Sequence, residues 1–317
     1  ITAYSITKYS QLETSSIIKN LKKYLLQGCE KIREENRYID YSVALQLGSL
    51  DAKLEKKKDI DVEIDPLYKG AGNCSAARSS CLGLAYNKLT RGKKYVDELI
   101  SISIETGKVT NPHPIGYLGS FTIAYFVSLC FENEVISAKA IYDFPFKLMK
   151  ILESGKIEKY LQKNGGLELY NEHKNFFIDM WKKYINNKFE KGNTILTSYS
   201  EDSPLYNPAY RSKYYAEEYG LPSKTRIYPG MGGQDSTIIA YDCLLDCIYP
   251  SISWEKLVTY SMLHMGDSDA TGAMAASMFG AIFGFQFITN LELKDILHIK
   301  DLVALGEKLF KLTKRKK

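Results

Sequence analysis

Apolar residues recur along this chain with a helical rhythm. In SSIIKNLKKYLLQGCEKI (15–32), Ile17, Ile18, Leu21, Leu25 and Leu26 fall on one stripe. KKYVDELISISIE (93–105) repeats Val96, Leu99 and Ile100 in the same way, although its Ile-Ser alternation also fits a strand. GSFTIAYFVSLCFE (119–132) is apolar on nearly every face, the pattern of a helix enclosed on all sides. Further helices are predicted over 135–154, 169–187, 205–219, 234–247, 252–263, 270–284 and 299–313, with Pro145 kinking or interrupting the first. The opening ITAYSITKYSQ carries Ile1, Tyr4, Ile6 and Tyr9 at helical spacing with no capping residue before them, so a helix is expected to be already under way there. Loops are predicted at 51–73, 188–204 and 220–233. No run of alternating strands, internal repeat or clean dividing linker interrupts this series. The expectation is an all-α, single-domain chain over residues 1–313, ending in a basic tail at 314–317.

Composition narrows the class. The 317 residues are 45% hydrophobic and 25% charged, as in ordinary globular proteins with a sizeable core. The net charge of +5 owes much to the closing KLTKRKK, read as a solvated tail; a nucleic-acid partner is not indicated. No apolar run reaches the ~20 residues that span a bilayer, and no secretory signal opens the chain. The six cysteines (Cys29, Cys74, Cys81, Cys130, Cys243, Cys247) form no C-x-x-C pair and have four histidines for company. That argues against a zinc site and for reduced thiols in a cytoplasmic protein.

Four stretches can carry chemistry. HMGDSDATGAMAASMFGAIFGF (264–285) places Asp267 and Asp269 at the start of an apolar, small-residue helix. One aspartate there is explained as a helix cap. Two are also a means of holding a hard divalent cation such as Mg²⁺. KGAGNCSAARSSCLGL (69–84) puts small residues before a helix, either a tight turn or a place where backbone N–H groups meet a phosphate. TGKVTNPHPIGYLGS (106–120) sets His113 between two prolines, in a rigid turn that presents it or Thr110 to a ligand, or holds it as a structural residue. YPGMGGQDSTIIAYDCLL (228–245) is a glycine-rich loop entering a helix, with Asp235 expected as its N-cap.

In chain order these stretches resemble the ADP-ribosylglycohydrolases, most closely the arginine-specific branch, from the first residues to about residue 310. SIETGKVTNPHPIGYLGS, GGQDSTIIAYDCLL and HMGDSDATGAMAASMFGAIFGF carry the likeness. The resemblance implies an orthogonal multi-helix domain holding two Mg²⁺ ions in a central cleft. It also implies hydrolysis of the N-glycosidic bond between ADP-ribose and a protein side chain, with ADP-ribose or an ADP-ribosylated protein as partner. Cleavage at an anomeric carbon passes through an oxocarbenium-like state, which suits metals that hold ribose hydroxyls and a carboxylate that takes a proton from water. By position, Asp267 and Asp269 are the implied metal ligands. Gly72, Asn73, Ser75, Thr110, Asn111, His113, Gly116, Gly232, Gly233 and Asp235 are the implied surroundings of ADP-ribose.

The sequence departs from the family pattern at four places. The family's first acidic pair, in an Asp-Asp-Thr motif that would supply the catalytic carboxylates, falls before Ile1. Ala270 stands where a hydroxyl ligand is usual, with Thr271 next to it expected to point elsewhere if the helix has begun. Asn111 stands for a ligand-facing histidine, and Cys74 for a glycine of the phosphate-side loop. Two principal expectations follow. One is a Mg²⁺-dependent hydrolase that removes ADP-ribose from arginine. The other is a catalytically degenerate relative serving as a structural or binding component of a larger assembly. A hydrolase of another ADP-ribosyl derivative is a third.

Overall fold

Two helices with no solvent face carry the structure. The computed structural model describes residues 2–9, 14–35, 68–131, 137–190, 194–195, 207–222, 228–248, 251–289, 294 and 296–314. All sixteen residues of the central helix Pro114–Leu129 are buried, and so are all sixteen of the helix Gly233–Ile248. The first begins five residues before the expected apolar run. Pro114 occupies its first turn, where a missing N–H costs nothing, and His113 caps it by accepting the Ile115 N–H at Nδ1, 3.2 Å away.

The two helices cross where neither has a side chain. A Cβ on Gly119 would stand 2.7 Å from the Gly233 carbonyl oxygen, and one on Gly233 would overlap the Ile115 carbonyl. Backbone therefore meets backbone, which only glycine permits.

Amphipathic helices surround this pair. Thr14–Glu34 turns Ile17 and Leu21 inward. Tyr95–Lys108 is helical throughout, including the ambiguous Ile-Ser stretch. Leu167–Lys188 buries Tyr170, Phe177, Ile178, Trp181 and Tyr184 at spacings of about one turn. Aromatic rings lock it to the core: Phe126 lies 5.5 Å from Phe144, 5.5 Å from Trp181 and 5.2 Å from Tyr241 between ring centroids. The outer series is completed by Thr2–Tyr9, Pro208–Tyr219, Trp254–Met262, Ser268–Phe283 and Ile299–Lys314. One buried apolar cluster runs from Ile6 to Leu309.

The architecture is all-α. The expected helix over 135–154 is two, Ala138–Tyr142 and Phe144–Leu152, with Pro145 in the first turn of the second. A two-residue antiparallel ladder, Phe189–Glu190 with Thr194–Ile195, stands inside the predicted loop 188–204. Most of that loop, residues 51–67 of the loop 51–73, residues 223–227 and the basic tail at 315–317 lie outside the described residues. No helix among the described residues is long and apolar enough to cross a membrane.

The helix Gly233–Ile248 also carries buried charge that sequence reasoning did not anticipate. Lys188 Nζ lies 2.9 Å from Asp242 Oδ1 and 3.0 Å from Asp246 Oδ1, and Arg211 Nη2 lies 3.4 Å from Asp246 Oδ2. The hydroxyls of Tyr184 and Tyr215 donate to Asp242. Two cations and two carboxylates thus balance, the condition under which such groups are tolerated inside.

The glycine crossing yields a paired prediction. Gly233→Ala forces two backbones apart and is expected to lower unfolding stability by about 3 kcal/mol. Gly280→Ala, in an exposed helix position with nothing within 4 Å of the new methyl group, is expected to raise it by roughly 0.5–1 kcal/mol. Urea denaturation of the two variants against the parent checks both signs.

Candidate active site

The glycine crossing sets the N-terminus of the central helix beside that of Gly233–Ile248, so the loops entering both are neighbours. Gly72 and Gly232 form an antiparallel bridge. The Asn73 N–H donates to the Met231 carbonyl at 3.0 Å and the Gly233 N–H to the Ala71 carbonyl at 2.9 Å. Asn73 then ties in the acidic loop, because its Nδ2 donates to the Gly230 carbonyl at 2.5 Å and to Asp267 Oδ2 at 2.6 Å. The Asp267 N–H closes the ring by donating to the Pro229 carbonyl at 2.9 Å.

The fourth loop joins through Asn111. Its Oδ1 accepts from the Ser75 N–H at 2.9 Å and from Thr110 Oγ1 at 2.7 Å, while Ser75 Oγ donates to the Gly116 carbonyl. Asn111 is fully buried and its Nδ2 has no partner among the described residues. A buried amide donor left open is a costly feature, and in native structures it is met by water or a ligand.

The residues singled out from sequence divide accordingly. Gly72, Asn73, Ser75, Thr110, Asn111 and Asp267 belong to one hydrogen-bonded junction. Gly232 joins it through the Gly72 bridge, and Gly116 and Gly233 are close backbone contacts: a Cβ on Gly116 would come 2.6 Å from the Gly70 carbonyl oxygen. The His113 ring packs against aromatic neighbours, 4.3 Å from that of His173 and 6.0 Å from that of Tyr68. Asp235 is not the N-cap. It is the third residue of the helix, and its carboxylate reaches back to accept the N–H groups of Gly230 at 2.7 Å and Gly232 at 2.8 Å, plus that of Ser236 at 3.0 Å. Burial pushes its carboxyl up to about 7, against the pull of these donors.

Asp267 and Asp269 stand at the start of the helix Ser268–Phe283, as the sequence predicts. Asp267 is half-buried and caps Ser268–Phe283 by position, and Asp269 in the first turn is exposed. Both supply hard carboxylate oxygens, a donor type that suits Mg²⁺ with several waters retained. Of the neighbouring side chains, Ala270 has no ligand atom, Ser268 Oγ donates to the Gly266 carbonyl, and Thr271 Oγ1 donates to the Ser261 carbonyl at 2.8 Å. Among the described residues no cluster of three or more histidine, cysteine or acidic side chains gathers to hold a metal.

Sequence reasoning gave no role to His264. It is fully buried, with Nε2 2.7 Å from Thr271 Oγ1. Thr271 Oγ1 also lies 2.8 Å from the Ser261 carbonyl oxygen. The His264 contact anchors the acidic loop to its helix. Its only sequence signal is position, heading the segment that contains the aspartates.

Burial, aided by the positive charge of Arg211, pushes His264 down to about 4. An unfolded histidine titrates near 6.5. Between about pH 4 and 6.5 the unfolded chain therefore binds a proton that the folded chain does not, and the His264 contribution to stability grows as pH rises through that window. Asp235, raised when folded, contributes in the opposite sense from about pH 4 to 7. His264→Gln is expected to remove a rise of the order of 3 kcal/mol across the histidine window, read as a difference in the pH dependence of urea midpoints between parent and variant.

Comparison with known proteins identifies the family. The family described as ADP-ribosylglycohydrolase matches residues 2–317. The chain is 29% identical over 309 residues to the ADP-ribosylhydrolase ARH1 of Dictyostelium discoideum, covering 93% of this chain and 74% of that protein. It is 34% identical over 216 residues to a protein of Acanthamoeba polyphaga mimivirus provisionally named ADP-ribosyl glycohydrolase L444, covering 68% of this chain and 38% of that one. The family and these relatives support ADP-ribosyl hydrolase activity and ADP-ribosylated substrates. With the match spanning nearly every residue, the chain belongs to the ADP-ribosylglycohydrolase family.

Proposed function

We propose that this chain is a Mg²⁺-dependent hydrolase that removes ADP-ribose from arginine side chains of proteins. The observation that carries the reading is the Asn73–Asp267 hydrogen bond. It fastens the small-residue loop at 70–75 to the acidic loop and orients the Asp267 carboxylate. Asp267 and Asp269 would hold the cation. When bound, Mg²⁺ supplies positive charge that fixes ribose hydroxyls and water near the anomeric carbon.

The chain's own groups do the positioning. The Asn111 amide offers its unpartnered N–H donors beside Gly72, where a Cβ would meet Asn111 Nδ2 at 3.4 Å. Glycine at 230 lets its loop pack against the acidic segment, where a Cβ would come 2.9 Å from the Thr271 side chain. Asp235 secures the N–H groups of Gly230 and Gly232 and so fixes that loop.

Ala270 and Thr271 favour a second reading, a degenerate ADP-ribose-binding protein. The one lacks a hydroxyl and the other commits its own to Ser261 and His264.

One experiment separates them: ADP-ribosylated arginine is incubated with the full-length protein in Mg²⁺ and in EDTA. The expected outcome is metal-dependent release of ADP-ribose; binding of ADP-ribose without release supports the second reading instead. Asp269→Asn is expected to lower kcat/KM about a hundredfold and to abolish thermal stabilisation by ADP-ribose plus Mg²⁺. Stabilisation equal to the parent's would sink the ligand role. Ala270→Ser restores an oxygen donor at the helix start and is expected to tighten Mg²⁺ binding several-fold, measured by titration calorimetry.

A further inference from the structure

The helix Lys156–Asn164 lies beside Tyr95–Lys108, and between them opens a cavity of about 440 Å³. Lys156, Lys159, Tyr160 and Lys163 line one side, and Asp97 and Ile100 the other. Residues 156, 159, 160 and 163 follow the i, i+3, i+4, i+7 spacing that puts side chains on one helical face. The volume falls within the range of roughly 300–1,000 Å³ typical of small-molecule sites.

The charge pattern distinguishes this groove from an ordinary solvated surface. Nearby acids are already engaged. Asp97 pairs with Lys156 at 2.5 Å, Glu158 with Lys174 at 2.8 Å, and Glu153 with Lys182 at 2.9 Å. Glu105 pairs with Lys108 at 3.1 Å and accepts the Tyr160 hydroxyl proton. Lys159 and Lys163, one turn apart, have no acidic partner among the described residues. Two neighbouring ammonium groups repel each other, and a compact dianion set between them relieves that repulsion while using lysine as a phosphate binder.

The rest of the lining indicates what the anion is attached to. The Tyr160 ring is half-buried and Ile100 is 1% exposed, so the wall behind the lysines is apolar. Asp97 stands beside Lys156, at the end of the helix opposite Lys163. A carboxylate there repels a second anion and accepts from hydroxyl groups. We propose that this groove is a second binding site, for a phosphate ester the size of a mononucleotide, with the phosphate at Lys159 and Lys163 and the hydroxyl-bearing portion toward Asp97. None of the residues lining the groove belongs to the hydrogen-bonded junction of Asn73, Asn111 and Asp267, so the two sites are distinct. The inference does not rest on the hydrolase reading.

The test is titration calorimetry of the full chain with AMP in EDTA, which removes any metal-dependent contribution of Asp267 and Asp269. The parent is expected to bind AMP, with adenosine and inorganic phosphate each at least tenfold weaker. The double variant Lys159→Gln/Lys163→Gln, changed only at exposed positions, is expected to lose at least tenfold in AMP affinity, and Asp269→Asn to lose none. The proposal is overturned if the parent does not bind AMP, if the lysine variant binds it like the parent, or if phosphate alone binds as tightly. A loss confined to Asp269→Asn overturns it too, by placing the nucleotide in the acidic cleft.

Discussion

The backbone crossing at Gly119 and Gly233 is the constraint on which the rest depends. Two fully buried helices approach until main chain touches main chain, and that contact fixes the relation between their N-termini. The loops at 110–116 and 229–235 are then neighbours by necessity. The 70–75 loop is stitched to the second of these by the Gly72–Gly232 bridge. Any side chain at the crossing pushes these loops apart before it disturbs the outer helices. The candidate site is thus built on the two fully buried helices, and sites carried on packed helices are held more precisely than sites on loops.

Carboxylates along this chain are handled in different ways, and each is matched to its surroundings. Asp242 and Asp246 are enclosed and neutralised by Lys188 and Arg211. Asp235 is enclosed without a cation and held by three backbone N–H groups, with its acidity weakened by burial. Asp267 is half-buried and oriented by one amide, and Asp269 stands at the helix mouth in contact with solvent. Of these five aspartates, three are buried, while Asp267 is half-buried and Asp269 exposed. His264 beneath them is kept neutral by burial and by Arg211, so the acidic loop is anchored without bringing a competing positive charge to the site.

The fold was largely legible. An apolar helix surrounded by amphipathic ones follows from periodicity, and the break at Pro145 follows from the missing N–H. Helix ends were less so. Pro114–Leu129 starts earlier than its apolar run because His113 and Pro114 supply the cap and first turn, a local signal that periodicity does not register. Asp235 read as a cap since it opens an apolar stretch, but Gly233 and Gln234 are already helical, and the side chain folds back instead. The ion cluster was invisible. Lys188, Arg211, Asp242 and Asp246 come from three separate helices, and in sequence each looks like a surface residue.

By itself the sequence determined the helical class, the apolar centre, the acidic pair at a helix start and the family, because these rest on local periodicity and on short stretches in fixed order. The tertiary structure alone decided which loops meet. It decided that Asn73 serves Asp267 across 194 residues of chain, that Asn111 keeps an open donor, and that the His113 ring packs 4.3 Å from that of His173. Those outcomes depend on where two glycines let helices touch, a three-dimensional fact that spacing along a chain does not encode.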